Sequence, residues 1–173
     1  MSPPVKTVPN HSLDRTWVVV ADGGAARILT VSPDHSHLVT LREMISPDIH
    51  HKTHDIVSDR AGRSFESASS TRHGIQAKTD PHDLAKERFV HDLGKSLSDC
   101  HLGGDFDVLV LAVTRAQVHN LEGALSATTK ACVAGIAAKD LVKMSNTAVW
   151  EHLTADGIMP PPSRQRDGYA DRG

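Results

Sequence analysis

Two short segments that are hydrophobic at successive positions constrain this chain more than any other feature. They lie at residues 17–21 (WVVVA) and 108–113 (VLVLAV), and we predict strands over Thr16–Ala21 and Asp107–Val113. Polar and apolar residues do not alternate in either segment, which is typical of a strand that is buried on both faces. The pattern therefore predicts a sheet flanked by helices, which is an α/β architecture.

The first predicted strand is followed by a hairpin signal. Asp22-Gly23 lies between two β-rich segments, a pattern typical of a tight turn in which both central residues have positive φ. A second strand is predicted from about Ala25 to Val31, and a third from Leu38 to Met44 after the turn at Ser32-Pro33-Asp34. These three strands form an antiparallel β-meander.

A helical region follows a long segment without hydrophobic periodicity. Asp80-Pro81 has the residue types favoured at the N-cap and the first position of a helix. The later elements are predicted as a helix from 80 to about 100, a strand at 107–113, a helix at 115–128, a strand at 131–137 and a helix at 145–155. The order is a meander, a loop and then αβαβα, which predicts one mixed sheet.

Length and composition indicate one domain with an aliphatic core. The chain has 173 residues, of which 39% are hydrophobic and only 3% aromatic. We predict a folded part over 16–157. Residues 1–15 and 158–173 are rich in proline and lack a period, which predicts a disordered N-terminal arm and a disordered Pro-rich tail.

Charge and cysteine content narrow the class of protein. The formal net charge is −2, so any contact with nucleic acid has to come from a local basic patch. The two cysteines, Cys100 and Cys132, are far apart and fit a reducing compartment. No secretory signal or membrane-spanning segment is recognised, and we expect a cytoplasmic protein.

The segment 46–80 carries the candidate binding residues. Arginines, hydroxyls and glycines mix there with one aromatic residue, and guanidinium groups bind phosphates through paired donors. The predicted RNA- or phosphate-binding residues are Arg60, Gly62, Arg63, Phe65, Arg72 and His73. A solvated loop whose arginines pair with its own acidic residues is the alternative, because the net positive charge is small. Phe65 could stack on a base or anchor the loop.

A histidine cluster in the same segment is a candidate metal site. His50, His51 and His54 have side chains that bind zinc, but the H-E-x-x-H spacing is missing. The chain also lacks a G-x-S-x-G nucleophile motif and the G-x-G-x-x-G dinucleotide motif. We therefore predict no catalytic residues, no cofactor and no metal, and regard the histidines as weak candidates.

Several segments together resemble the bacterial host attachment protein family. They are WVVVADGGAARI from Trp17, DRAGRSFES from Asp59, Arg72-His73, TDPH from Thr79, Arg88-Phe89 and FDVLVLA from Phe106. The resemblance covers about residues 16–155. Family members tend to carry a proline and a Leu-Gly step after the buried strand, where this chain has Thr-Arg-Ala-Gln from Thr114.

This family is similar in fold to the middle domain of archaeal and eukaryotic peptide-release factors, which implies a release-factor-like fold here. The Gly-Gly-Gln tripeptide of those factors is missing, because Gln76 follows Ile75. The resemblance thus implies a non-enzymatic protein that binds RNA or the ribosome in translation quality control or dormancy. Two alternatives stay open: a metal- or histidine-dependent hydrolase or nuclease using His50, His51, His54 and His73, and a protein-interaction module in host attachment.

Overall fold

The computed structural model describes residues 7–48 and 80–163, which form a five-stranded sheet with helices on both faces. The strands are β1 (Thr16–Ala21), β2 (Ala25–Val31), β3 (Leu38–Ile45), β4 (Val108–Val113) and β5 (Val133–Ala137). The helices are α1 (Pro81–Leu102), α2 (Arg115–Ala124), α3 (Ala127–Ala131) and α4 (Asn146–Ala155), and a 3-10 helix (Asn10–Arg15) precedes β1. The predicted meander followed by alternating helices and strands is confirmed, except that two helices, α2 and α3, lie between β4 and β5 where one is predicted.

The sheet is mixed, with the strand order β3-β2-β1-β4-β5. β2 is antiparallel to both β1 and β3, whereas β4 is parallel to β1 and to β5. Four strands, all except β2, therefore run in the same direction. Their carboxyl ends lie along one edge of the sheet, where ligands commonly bind in open α/β sheets.

Both central strands are buried on both faces, as their continuous hydrophobicity predicts. Along β1, Val18 and Val20 belong to one hydrophobic core, and Val19 and Ala21 belong to the other. α1 and α2 cover the second core with Phe89, Leu93, Leu97 and Leu121. α4 covers the first core with Val149, Trp150 and Leu153. The molecule therefore has three layers, with the sheet in the middle.

The helix boundaries follow local capping. The Asp80 carboxylate accepts a hydrogen bond from the backbone N–H of His82 at 2.9 Å, so the predicted cap at Asp80-Pro81 is confirmed. The single helix predicted over 115–128 is wrong. Leu125 is extended, and Ser126 then caps α3 by accepting from the N–H of Thr129. A serine hydroxyl competes for backbone N–H groups and so starts a new helix here.

Both ends of the folded part extend beyond the predicted limits at 16 and 157. Val8 and Leu13 are buried in the core beneath α4, together with Ile158 and Met159. The N–H of Val8 donates to the carbonyl of Ile158 at 2.9 Å, which joins the two ends. Isolated buried side chains produce no hydrophobic period in a sequence. These contacts could therefore not be predicted from the proline-rich ends of the chain. Within 7–48 and 80–163, no helix is long and apolar enough to cross a membrane.

Candidate functional site

A crevice of about 430 Å³ lies at the edge of the sheet where β1, β3 and β4 end. We call it the carboxyl-end crevice. Residues that follow those three strands line it, together with the first turns of α1; the lining is Asp22, Gly23, Gly24, Ser46, Asp48, His82, Ala85, Lys86, Thr114, Ala116 and Gln117. The strand directions bring these separate segments together.

The turn between β1 and β2 forms one wall of the crevice. The Oδ1 atom of Asp22 accepts hydrogen bonds from the backbone N–H groups of Gly24 and Ala25, both at 2.7 Å. The hairpin is where the sequence predicts it, but the positive φ expected at Asp22 and Gly23 is wrong, because neither residue has one, and neither does Gly24. The aspartate side chain stabilises the turn by accepting both N–H groups, as aspartates commonly do in turns.

Gly23 allows the side chain of Lys86 to lie against the turn. A Cβ atom on Gly23 would lie 2.6 Å from Cγ of Lys86, which is closer than two non-bonded carbon atoms can approach. The Nζ atom of Lys86 lies 3.5 Å from Oδ1 of Asp83 one turn earlier in α1. Both side chains are at least half exposed, so this ion pair is weak and leaves the ammonium group available to a ligand.

The first turns of two helices also line the crevice. Thr114 precedes α2 and makes no side-chain hydrogen bond to the helix N-terminus. Gln117 in the first turn of α2 is 9% exposed, and its Oε1 atom accepts from Nδ2 of Asn120 at 3.4 Å. A helix N-terminus carries partial positive charge and favours anions. Asp22 and Asp48 add negative charge, so the crevice contains both signs.

Ser46 fixes the way in which the chain leaves β3. Its backbone N–H donates to the carbonyl of Gly24 at 2.7 Å, and the residue is buried. This bond holds the segment after β3 against the β1–β2 turn. Asp48, two residues after Ser46, therefore lines the same crevice as His82 in the first turn of α1.

The predicted site residues lie outside the described residues. These are the RNA-binding candidates Arg60, Gly62, Arg63, Phe65, Arg72 and His73 and the metal-binding candidates His50, His51 and His54. The described residues on either side of the segment 49–79 include Asp48 and His82, and both line the carboxyl-end crevice. In the part of the chain that is described, no group of three His, Cys, Asp or Glu side chains could hold a metal ion.

Sequence reasoning missed the crevice itself. In the sequence, the segment after β1 is typical of a hairpin turn, the segment after β3 begins the long loop 46–80, and Thr114 and Gln117 stand out only as a departure from the family pattern. The order of the strands in the sheet is needed to see that these three segments are neighbours. The available signal is that residues 22 and 114 directly follow predicted strands, and residue 46 comes two positions after the end of another.

The fold and the crevice together define a three-layer α/β protein with an open site at the carboxyl ends of its strands. The family described as "Protein required for attachment to host cells" matches residues 17–153, and the chain belongs to that family. The family resemblance found in the sequence is thus confirmed. No curated protein matches the chain.

Among solved structures, the chain is similar to the archaeal translation termination factor aRF1. The TM-score is 0.42 at 10% sequence identity, and the match covers 82% of this chain and 38% of the termination factor. The chain thus spans well under half the length of that protein. A TM-score of this size carries no argument about what the chain does.

Proposed function

We propose that this protein binds RNA, free or within the ribosome, as a non-enzymatic cytoplasmic protein, through the segment 49–79 and the carboxyl-end crevice. One observation supports the proposal above others. Asp48, which precedes the segment that carries Arg60, Arg63 and Arg72, lines this crevice, and so do His82 and Lys86, which follow that segment in the chain. The chain thus connects these arginines on both sides to residues that line the crevice.

The charge distribution favours a local rather than a general interaction with phosphates. Over residues 56–79, four basic residues (Arg60, Arg63, Arg72 and Lys78) outnumber the two acidic ones, whereas the whole chain has a net charge of −2. Arginine binds phosphate oxygens with two parallel N–H donors and keeps its charge at all physiological pH values. The N-terminus of α2 would add a further site for an anion in the crevice.

The remaining predicted residues have supporting roles in this proposal. Gly62 lets backbone N–H groups approach a phosphate, because it has no side chain in the way. His73 adds a further donor next to Arg72. Phe65 supplies a ring face on which an unpaired base can stack, as aromatic residues commonly do in proteins that bind single-stranded RNA.

A salt series on an arginine variant tests the proposal. The triple substitution Arg60→Ala, Arg63→Ala and Arg72→Ala should weaken binding to a fluorescent single-stranded RNA, measured by anisotropy between 50 and 200 mM salt. Each lost phosphate contact lowers the slope of log Kobs against log salt by about 0.7, or about 2 in all. The wild-type affinity should therefore fall about 15- to 20-fold more than that of the variant across this range.

A matched control separates a local patch from total charge. Arg42, Lys95 and Lys130 are exposed and do not line the crevice, and changing them to Ala removes the same charge. This variant should keep the wild-type affinity at physiological salt to within a few-fold. The assignment of the arginines would be refuted if the two triple variants lost the same RNA affinity. It would also be refuted if the variant of Arg60, Arg63 and Arg72 lost none.

Sedimentation of cell lysates tests the link to the ribosome. The wild-type protein should migrate with ribosomal particles in lysates of growing or starved cells, and the arginine variant should stay at the top of the gradient. A protein that binds neither RNA nor ribosomes contradicts the proposal. Stoichiometric metal removed by a chelator would then favour the hydrolase alternative with His50, His51, His54 and His73.

A further inference from the structure

A second cluster of reactive side chains lies at the C-terminal end of α1, the opposite end from the carboxyl-end crevice. We call it the thiol–imidazole cluster, and it consists of Cys132, His101 and Thr129. The Sγ atom of Cys132 lies 3.0 Å from Nε2 of His101, and Nδ1 of the same ring lies 3.2 Å from Oγ1 of Thr129. A nucleophile, a base and a group that orients the base thus follow one another in hydrogen-bond reach, as in enzymes that use an activated nucleophile.

The imidazole ring is held in place from two sides. Thr129 is 0% exposed, and its hydroxyl lies 2.8 Å from Oγ of Ser126, which also caps α3. The ring of Phe106, fully buried, stacks on His101 with 5.2 Å between ring centroids. Because Thr129 and Phe106 are both fixed in the core, the base is oriented before any reagent arrives.

The thiol needs that base. Burial, and after it the charge of Asp107, raises the pKa of Cys132 above its ordinary value of 9.0. Cys132 therefore carries its proton in neutral water, and its thiolate is scarce. The S–H group has two acceptors, Nε2 of His101 at 3.0 Å and the carbonyl of Thr128 at 3.4 Å. Only the first can take the proton away.

The titratable and charged groups near this cluster come from four parts of the chain. They are Asp99 and the Cys100 thiol on α1, Asp105 and Asp107 in the segment before β4, Arg15 at the end of the 3-10 helix and Arg42 on β3. Arg15 donates to both carboxylate oxygens of Asp107, at 3.0 and 3.2 Å. The guanidinium therefore offsets the negative charge that would otherwise act on Cys132 and His101.

We propose that Cys132 is a modification site, a nucleophilic thiol for small carbon electrophiles, with His101 as its general base. Sγ forms a bond to the electrophilic carbon, the bond from that carbon to its leaving group breaks, and the leaving group departs with the electron pair. The S–H proton moves to Nε2 of His101. Throughout, the N–H at Nδ1 of His101 donates a hydrogen bond to the hydroxyl oxygen of Thr129. Cys132 is partly exposed, so a small reagent can reach it.

Cys100 is an internal reference for this chemistry. It is also partly exposed, and burial together with a hydrogen bond to Asp105 raises its pKa. It has a carboxylate beside it instead of an imidazole, and a carboxylate is a weaker base than an imidazole. The two cysteines therefore differ mainly in the base that each can use.

Alkylation of single-thiol variants by iodoacetamide tests the proposal. Cys100→Ser leaves Cys132, Cys132→Ser leaves Cys100, and mass spectrometry gives each rate between pH 6 and 9.5. At pH 7 we expect Cys132 to react at least tenfold faster than Cys100. The alkylation rate of Cys132 should stop rising with pH well below pH 9, because the rate then depends on proton transfer to His101 and not on the fraction of free thiolate. A rate for Cys132 that climbs tenfold per pH unit up to pH 9 would overturn the proposal.

Variants of the base and of its partner complete the test in the Cys100→Ser background. His101→Gln should slow alkylation of Cys132 at least tenfold, whereas His91→Gln, an exposed histidine on the same helix, should not change it. Thr129→Val should slow it, and Thr129→Ser should restore the rate because it keeps the hydroxyl. An unchanged rate in a folded His101→Gln variant refutes the role of the base. If that variant does not fold, the pH profile and the Thr129 pair decide.

Discussion

The close approach of α1 and α2 at Gly94 gives a prediction with a sign that can be worked out from the structure. A Cβ atom on Gly94 would lie 2.5 Å from Cβ of Ala124 and 3.0 Å from its backbone carbonyl carbon. Carbon atoms pack at about 3.5–4.0 Å, so Gly94→Ala forces the helices apart by about 1 Å. The first turns of these two helices line the carboxyl-end crevice, so their separation also affects its shape.

The magnitude follows from two opposing effects. Alanine stabilises a helix interior by about 1 kcal/mol relative to glycine. Overpacking of a well-packed contact costs about 1–3 kcal/mol, and the upper end applies here because one of the two clashing groups is backbone. We therefore expect Gly94→Ala to lower the free energy of unfolding by about 1–2 kcal/mol. The melting temperature should fall by about 2–8 °C.

Gly123 provides a matched control in α2. A Cβ atom there meets nothing within 4 Å, so Gly123→Ala gains the helix preference without a clash. We expect it to raise the free energy of unfolding by about 0.5–1 kcal/mol. Urea unfolding followed by circular dichroism measures both variants, and their difference in sign does not depend on the extrapolation to water.

Two results would refute this reasoning. Gly94→Ala as stable as Gly123→Ala would mean that α1 and α2 move apart without cost, so that the contact does not fix their distance. Adding Ala124→Gly to Gly94→Ala should restore part of the lost free energy of unfolding. If it restores none, the Cβ–Cβ overlap is not the cause of the loss. Relief is expected to be partial because Ala124→Gly removes only one of the three close contacts and leaves those to the backbone carbonyl.

Two further predictions concern the turn after β2 and the chain after α4. Hydrogen bonds from Ser32 and Ser36 lower the pKa of Asp34 to about 2, so its contribution to stability is complete above the ordinary value of 3.8 and is lost as the pH falls towards 2. Asp34→Asn should therefore lower the urea midpoint at pH 7 and leave it nearly unchanged at pH 2, and an equal loss at both would contradict this origin. Ile158→Ala, in the core, should cost about 2–5 kcal/mol, against less than 0.5 kcal/mol for Leu102→Ala, which is 88% exposed. If thermal unfolding showed equally small losses of stability for Ile158→Ala and Leu102→Ala, the chain after α4 would not stabilise the fold.

The sequence predicted most of the fold because its strongest signals are local. Valines and leucines at successive positions in β1 and β4 require cover on both faces, and that requirement alone predicts helices around a sheet. Asp80-Pro81 marked the start of α1 because capping depends on adjacent residues. The errors came where a tertiary contact or one side chain decided the outcome, as at Leu125, where α2 ends and Ser126 starts a new helix.

Less of the two sites could be predicted. The carboxyl-end crevice joins segments that are up to 95 positions apart, since Asp22 and Gln117 both line it. The thiol–imidazole cluster joins His101 to Cys132, which lie 31 positions apart in the chain. Neither pair has a motif, because a motif needs fixed spacing along the chain and these contacts depend on how β4, α2 and α3 are placed.

The sequence by itself determined the family, the α/β class, the order of the strands along the chain and the presence of arginines between β3 and α1. These follow from adjacent residues, whose hydrophobic pattern, capping and composition are the same whatever the rest of the chain does. Only the tertiary structure decided that β1, β3 and β4 end together, that Gly23 makes room for Lys86, and that His101 meets Cys132. Such contacts arise when the buried faces of the helices pack on the sheet, and that packing sums many small terms over the whole core.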